Sequence, residues 1–563
     1  MNHSAPLLEC VPNFSEGRDL AIIDKIVSAM AAVEGAQVLD VDPGRSTHRT
    51  VVTVAGAPSA VVEAAFRGIA MAGECIDLRK HRGEHPRIGA TDVCPLIPLA
   101  GLTMAEAAAL ARDLAARVGA ELGLPVYLYG EAALKPERRQ LDAIRAGEYE
   151  GLPAKLGDPA WQLDFGPAAF LPRSGATVIG ARKLLVAYNV NLNSRSTRRA
   201  FAVAYDVREQ GRLKREGHPI TGPVVHDAEG REVWIPGRLK GVKAVGWYIP
   251  EYGQAQVSMN LTDLDACPLH EAFEACRDAA RERGLRVTGS ELVGLVPLSA
   301  LLDAGRFYLR RQERSLGLPE RDLVDLAVKS LGLDDLGPFD PSKKVIEYRL
   351  AGVAGEAPRL ADQTLDAFAA AVADENPAPG GGSVAAALGA LAAALAAMVA
   401  NVSANKRGWE DRWESFSAWA EAAEAQRRRL LALIDKDSRA FGAVLAAGRL
   451  PATTPGERAV RADAQRAALR GALEAPLETM REAAQLGPLL EALAASGAPD
   501  AASDAWVGVL CARTAVRGAA ANLRINAREA QADEDLSGML DEALTLEAEA
   551  AALEARVAQL LRL

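Results

Sequence analysis

The chain changes character once, near residue 360, and that change limits its possible folds more than any other feature. Before it, short β-branched segments alternate with helical periods. After it, Ala, Leu, Glu and Arg dominate and no strand pattern survives. The first part therefore reads as mixed α/β and the second as an all-α helical bundle. At 563 residues the chain is too long for one core, so several domains are expected. The divide itself, GLDDLGPFDPSKKVIEYRLAGVAGEAPRL, has the Pro and Gly density of a domain boundary. Two α/β subdomains over 1–180 and 181–335, a linker over 336–359 and a helical domain over 360–563 follow.

Within the first subdomain, 7–11, 36–41, 49–55, 96–99 and 126–129 read as strands. Helical periods cover 20–33, 60–76 and 103–122, the last capped by Thr103. The stretch 134–175 is rich in Pro and Gly without clear elements, a length that is usually functional or connecting. In the second subdomain, 184–192, 242–247, 256–261 and 287–296 read as extended, with helices near 196–210 and 268–284. Residues 217–237 form a turn-rich excursion, read as a surface hairpin.

One stretch, DLRKHRGEHPRIGATDVCPLIP over 77–98, opposes the chain's average field. Its nine residues 79–87 hold Arg79, Lys80, Arg82 and Arg87 with only Glu84 opposing them, in a protein of net charge -10. Gly83, Pro86 and Gly89 break helical continuity, so it reads as a loop facing an anion rather than a solvated helix face. Its two imidazoles, His81 and His85, suit proton transfer on an anionic substrate. The acidic balance argues against nucleic acid as a partner.

The six cysteines, at 10, 75, 94, 267, 276 and 511, show no two-residue spacing, so buried reduced thiols are expected rather than a metal or redox motif. The opening MNHSAPLLECVPNF lacks a basic region followed by an apolar core. Together these point to the cytoplasm. Residues 376–405 carry no charge and are long enough to span a membrane. They are mostly Ala and Gly, however, and Val384, Leu388, Leu391, Leu395, Met398 and Val402 recur at steps of four and three. The expectation is a packing seam inside a bundle and no membrane span.

Long strings then carry a resemblance. ECVPNFSEGR from Glu9, GEHPRIGATDVCPLIPL from Gly83, YLYGEAA from Tyr127, RAGEYEGLP from Arg145, GATVIGARK from Gly175, GRLKGVKAVGWYI from Gly237 and GSELVGLVPLSALLDAGRFY from Gly289 resemble glutamate formimidoyltransferase. APGGGSVAAALGALAAALAAMVAN from Ala378 is similar to the cyclodeaminase domain fused to it. Together they resemble the formiminotransferase-cyclodeaminase family along nearly the whole chain. The resemblance implies two α/β sandwich transferase subdomains, then an all-α cyclodeaminase bundle. It implies transfer of the formimino group of N-formimino-L-glutamate to N5 of tetrahydrofolate, releasing glutamate. Cyclisation to 5,10-methenyltetrahydrofolate with loss of ammonia would follow, as a route of histidine breakdown. Tetrahydrofolate would be a co-substrate, no metal would be needed, and a homo-oligomer is expected. Both substrates carry carboxylates, which agrees with a basic loop in an acidic protein.

Residue by residue, the family's catalytic histidine falls on His85 in GEHP, with His81 as the competing candidate. Folate contacts fall on 166–175, including Gly166, Pro167 and Gly175. Arg182 and Lys183 follow as carboxylate holders or as plain surface cations at a strand start, and Gly237 and Arg238 match another contact. In the helical half, Gly380, Gly381, Gly382 and Ser383 open a helix whose free N–H groups would receive folate carboxylates. The catalytic aspartate falls in IDKDSRAF, on Asp437 or Asp435. The two point to different helix faces, and Asp437 is preferred because Phe441 lies four residues on. Ser503-Asp504-Ala505 resembles a third signature, with Asn522 and Asn526 one turn apart behind it. The alternatives for the helical half are a methenyltetrahydrofolate cyclohydrolase or a non-catalytic oligomerisation module.

Overall fold

The computed structural model describes residues 6–45, 47–83, 85–217, 221–353, 359–528 and 534–563. Glu84, and parts of the 217–237, 336–359 and 501–530 stretches, lie outside the described residues. Contacts divide the chain into Met1–Ala304 with Ala327–Gly355, and Gly305–Leu326 with Glu356–Leu563.

The first unit holds two large sheets and a two-stranded ribbon. One contains β1 (Leu7–Cys10), β2 (Asn13–Phe14), β3 (Ala36–Gly44), β4 (Arg49–Gly56), β5 (Thr91–Ala100), β6 (Val126–Gly130) and β7 (Thr177–Ala181). β1 and β2 each pair with both β4 and β5, so they act as one strand. Pro12, which lacks a backbone donor, stands at the break between them. β5–β7 and β7–β6 run parallel and the other pairs antiparallel. Helices α1 (Leu20–Ala31), α2 (Pro58–Cys75) and α3 (Met104–Glu121) cover one face around Leu8, Val52, Val54, Leu96, Leu128 and Ile179. Thr103 and Glu106 close a capping box at the start of α3, worth about 1 kcal/mol. The opposite face receives Tyr127, Tyr129, Val93 and Val178 under α4 (Leu141–Arg145) and α5 (Glu148–Leu156). The stretch read as lacking elements therefore contains two short helices, and β5 starts five residues earlier than its apolar run suggested.

The second sheet runs β11 (Val242–Ile249), β12 (Gln254–Leu261), β8 (Val186–Leu192), β13 (Val287–Val293), all antiparallel. Helices α6 (Thr197–Val207) and α7 (Leu269–Glu282) pack on it. The ribbon β9 (Arg212–Leu213) with β10 (Trp234–Ile235) closes the 217–237 excursion as the expected hairpin. α8 (Leu298–Arg311) and α9 (Glu320–Leu331) follow. α10 (Pro341–Lys344), capped by Asp340, and α11 (Ile346–Val353) occupy the stretch read as a linker. Ile346 is buried with Leu39 and Ala55, so this segment belongs to the first unit's core.

The second unit contains α12 (Leu365–Ala373), α13 (Gly381–Ala404), α14 (Trp413–Gly448), α15 (Pro455–Ala484), α16 (Gly487–Ser496), α17 (Ala502–Ala527) and α18 (Glu534–Leu561), with no strand among the described residues after 359. α13 is long and apolar enough to cross a membrane, yet α14, α15 and α17 pack around it. Its seam differs from expectation. Ala385, Ala386, Ala392, Ala393, Ala396 and Ala400 are the buried face, whereas Leu391 is 54% and Val402 46% exposed. Alanine allows helix axes to approach closely, so Leu391 and Val402 turn outward while Leu388 and Met398 pack at the edge of the core. Among the cysteines, Cys10, Cys94, Cys267 and Cys276 are buried as expected, while Cys75 and Cys511 are partly exposed.

Candidate active sites

The basic loop is pinned between neighbours. Ser15 Oγ donates to the Gly89 carbonyl at 2.7 Å, Ala90 N to Ser174 O at 2.8 Å and Ala176 N to Ile88 O at 3.0 Å. Gly89 and Gly175 form a bridge, and Leu78 N donates to Arg173 O at 2.9 Å. The loop that carries His85 therefore runs beside the segment 166–175. A cavity of about 510 Å³ opens on this loop, lined by His81, Arg82, Gly83, Arg87, Glu148 and Glu150.

Hydrogen bonding separates the two histidines. His81 is buried, its Nε2 lies 2.7 Å from the His48 carbonyl, and its Nδ1 accepts from Arg87 Nε at 3.2 Å. It also stacks on His48 with ring centroids 4.3 Å apart. Both nitrogens are occupied, which makes His81 a fixed part of the loop. His85 is half-buried, and its Nδ1 lies 2.7 Å from the Pro86 carbonyl. A carbonyl can only accept, so Nδ1 carries the proton and Nε2 keeps its lone pair, with no hydrogen-bond partner among the described residues. Burial, then the charges of Arg49 and Arg145, push its pKa down to about 4, with Asp92 opposing.

The loop's own cations are largely engaged. Arg79 forks onto Asp77 at 2.8 and 2.7 Å, and Arg87 reaches Glu148 at 3.1 Å and Glu150 at 2.7 Å. The cations near His85 come from other elements: Arg49 at the start of β4 and Arg145 at the end of α4. Arg145 pairs with buried Asp92, which also accepts from Ile88 N at 2.9 Å. Beyond it, buried Tyr129 feels the charges of Arg145 and Arg182, and Arg182 also acts on Glu9. Burial raises the Glu9 pKa to about 7 against the pull of Arg182, and its Oε2 has no hydrogen-bond partner among the described residues. Asp92, Arg145, Tyr129 and Glu9 lie inside the strings quoted above, although sequence reasoning gave them no role. Arg49 lies in none and carried no signal.

The segment 166–175 is anchored at its start. Arg138 and Asp164, both nearly fully buried, pair at 3.0 Å, and Asp164 also accepts from Leu128 N at 2.8 Å. Arg138 further donates to Gln162 O at 2.6 Å. Gly166 holds φ +83°, with Leu124 O where a side chain would stand, so only glycine fits. Asp164→Ala leaves a buried guanidinium unpaired and is expected to cost about 3–5 kcal/mol, read as a lowered denaturation midpoint together with a raised KM for the folate substrate.

Other expected contacts lie elsewhere. Lys183 Nζ is held by Asp263 and Asp265 at 2.9 Å, which leaves Arg182 as the member of the pair that joins the cluster. Arg238 pairs with Glu282 on α7, and Gly237 lies against Arg208 at the end of α6. These two face the helix layer of the second sheet and do not join His85.

In the helical unit, Gly380 is the N-cap of α13 and Ser383 stands in its first turn. Asp437 on α14 meets this turn: Ser383 Oγ donates to its Oδ2 at 2.9 Å. A Cβ on Gly382 would collide with the Asp437 carboxylate, so glycine is required there for the close approach. Burial raises the Asp437 pKa, with the Ser383 hydroxyl and N–H pulling it back. Asn522 on α17 lies against Gly381. Asp435 points elsewhere, accepting from Leu360 N at 2.8 Å and fixing the start of the unit. Asn526 Nδ2 donates to Ala472 O at 2.8 Å. Asp504 stands about 27 Å before Asn522 along α17, so the 503–505 signature does not join Asp437. Among the described residues, no cluster of three or more His, Cys, Asp or Glu side chains is placed to hold a metal.

Comparison with known proteins places these sites in context. Residues 7–182 match the formiminotransferase domain, N-terminal subdomain, residues 187–351 the formiminotransferase domain, and residues 364–545 the formiminotransferase-cyclodeaminase family. The chain is 44% identical to formimidoyltransferase-cyclodeaminase of Rattus norvegicus, over 96% of this chain and 97% of the relative. It is 41% identical to glutamate formimidoyltransferase of Thermoplasma acidophilum, over 54% of this chain and 92% of the relative. Its similarity to methenyltetrahydrofolate cyclohydrolase of Methylorubrum extorquens is 35% identity, over 35% of this chain and 94% of that protein.

Proposed function

The chain belongs to the formiminotransferase-cyclodeaminase family, and from that premise we infer two successive reactions on one folate. It is a bifunctional enzyme, a glutamate formimidoyltransferase joined to a formimidoyltetrahydrofolate cyclodeaminase. The first unit moves the formimino group of N-formimino-L-glutamate to N5 of tetrahydrofolate and releases glutamate. The second closes 5-formiminotetrahydrofolate to 5,10-methenyltetrahydrofolate and releases ammonia.

In the transfer, the attacking N5 loses a proton as it adds to the amidine carbon, and His85 Nε2, the free lone pair of the loop, takes it. The observation that carries this assignment is the pairing of the His85 loop with the Gly166–Gly175 segment, which sets the base beside the folate contacts implied by resemblance. In the second reaction Asp437 supplies a proton to the departing nitrogen or steadies the cationic intermediate, while the first turn of α13 receives folate carboxylates. Its raised proton affinity suits the acid role.

The setting we propose is cytoplasmic histidine breakdown, with the chain as a homo-oligomer. Exposed Leu391, Val402, Val507 and Leu510 on α13 and α17 support self-association through that face. The test is to supply formiminoglutamate and tetrahydrofolate and follow methenyltetrahydrofolate by its absorbance. Accumulation of the methenyl product with ammonia is expected. Build-up of 5-formiminotetrahydrofolate without ammonia would leave the transferase alone, and consumption of added methenyltetrahydrofolate without deamination would favour the cyclohydrolase reading.

A further inference from the structure

Two half-buried arginines act on His85, but one buried carboxylate answers them. Each oxygen of Asp92 is already engaged, one by Arg145 and the other by the Ile88 amide. Among the described residues Arg49 has no ion-pair partner, and its Nε, closed to solvent, has no hydrogen-bond acceptor. Asp42, the other acid near it, is exposed. Burial lowers the Arg49 pKa to about 10, so the guanidinium stays charged at neutral pH. A shielded guanidinium nitrogen left without an acceptor acquires a use when a ligand anion completes it. The formimino donor is a dicarboxylate whose reactive carbon must lie beside His85.

We propose that Arg49 grips one carboxylate of the formimino donor and thereby sets the donor's amidine carbon beside His85. The proposal rests on the transferase reading of the first unit. It has a second consequence. The charged or hydrogen-bonding groups around His85 are Arg49 from β4, Arg145 from α4, Asp92 from β5 and the Pro86 carbonyl. A donor carboxylate on Arg49 cancels one of the cations that depress the imidazole, so His85 becomes a stronger base when the donor is bound. Donor binding itself thus tunes the base.

The experiment is steady-state transfer by the full chain, Arg49→Gln and Arg49→Lys, varying each substrate separately. For Arg49→Gln the KM for formiminoglutamate is expected to rise about 10- to 100-fold, with the KM for tetrahydrofolate within about twofold. Arg49→Lys, which keeps the charge without the fork, should fall between and decides the matter if Arg49→Gln does not fold. In the unaltered enzyme the acid limb of kcat should lie at higher pH than that of kcat/KM, since the first reports the loaded enzyme. In Arg49→Gln the kcat/KM limb should move up, because a neighbouring cation has gone. An unchanged donor KM, or a rise confined to the folate KM, overturns the proposal while leaving transfer by the unaltered enzyme intact. Absence of transfer in the unaltered enzyme would instead refute the reading beneath it.

Discussion

Replacement of His85 by alanine is expected to lower the transfer rate by about 10²- to 10⁴-fold, the range spanned by loss of a general base. Cyclodeamination of supplied 5-formiminotetrahydrofolate should continue at its normal rate, because Asp437 lies in the other compact unit. His81→Ala tests the rival. His81 bonds the His48 carbonyl and Arg87 through its two nitrogens, so its loss should loosen the loop and raise substrate KM values. The pH dependence of the residual transfer should stay that of His85. If His85→Ala retained transfer, the free lone pair of that ring would have no part in it. Added imidazole offers a further check, since a small base admitted to the vacated space should restore part of the rate.

Asp437→Asn is expected to stop deamination to a comparable degree while transfer proceeds. The amide keeps the shape and can still accept from Ser383, but it cannot supply a proton or a charge. Gly382→Ala should act on the same site from the opposite side, because its methyl would occupy the place of the Asp437 carboxylate. Asp435→Asn should behave differently. It weakens a hydrogen bond to Leu360 N, costing about 1–3 kcal/mol of stability, and should leave the deamination rate near normal at temperatures where the unit is folded. A loss of deamination in Asp435→Asn that exceeds the loss in Asp437→Asn would reverse the assignment.

How much of this was legible in the sequence varies with the physics involved. The divide between α/β and helical halves was plain, because side-chain periodicity is a local property and changes from two to 3.6 residues. Thr103 was readable as a cap for the same reason. The inner face of α13 was misjudged. Size and hydropathy favour the Leu, Met and Val stripe as the core, yet close helix packing selects the alanines, and only the neighbouring helices reveal that. The choice between His81 and His85 depended on partners far along the chain, such as His48, which spacing cannot supply. The sequence drew attention to Arg79 and Arg87 by clustering, and the fold pairs them with Asp77, Glu148 and Glu150. Arg49, which carries no motif in the sequence, acts on His85 because the start of β4 lies against the loop through His48. Asp437 was preferred on the position of Phe441, and the reason visible in the structure is its contact with Ser383.

The division of labour between His85 and Asp437 is tested most directly by measuring glutamate and ammonia side by side. The unaltered chain, His85→Ala and Asp437→Asn would each receive formiminoglutamate and tetrahydrofolate. Equal amounts of both products are predicted from the unaltered chain, both reduced by about 10²-fold or more from His85→Ala, and glutamate in large excess over ammonia from Asp437→Asn. Ammonia released by Asp437→Asn at the normal rate, or glutamate released by His85→Ala at the normal rate, would contradict the account.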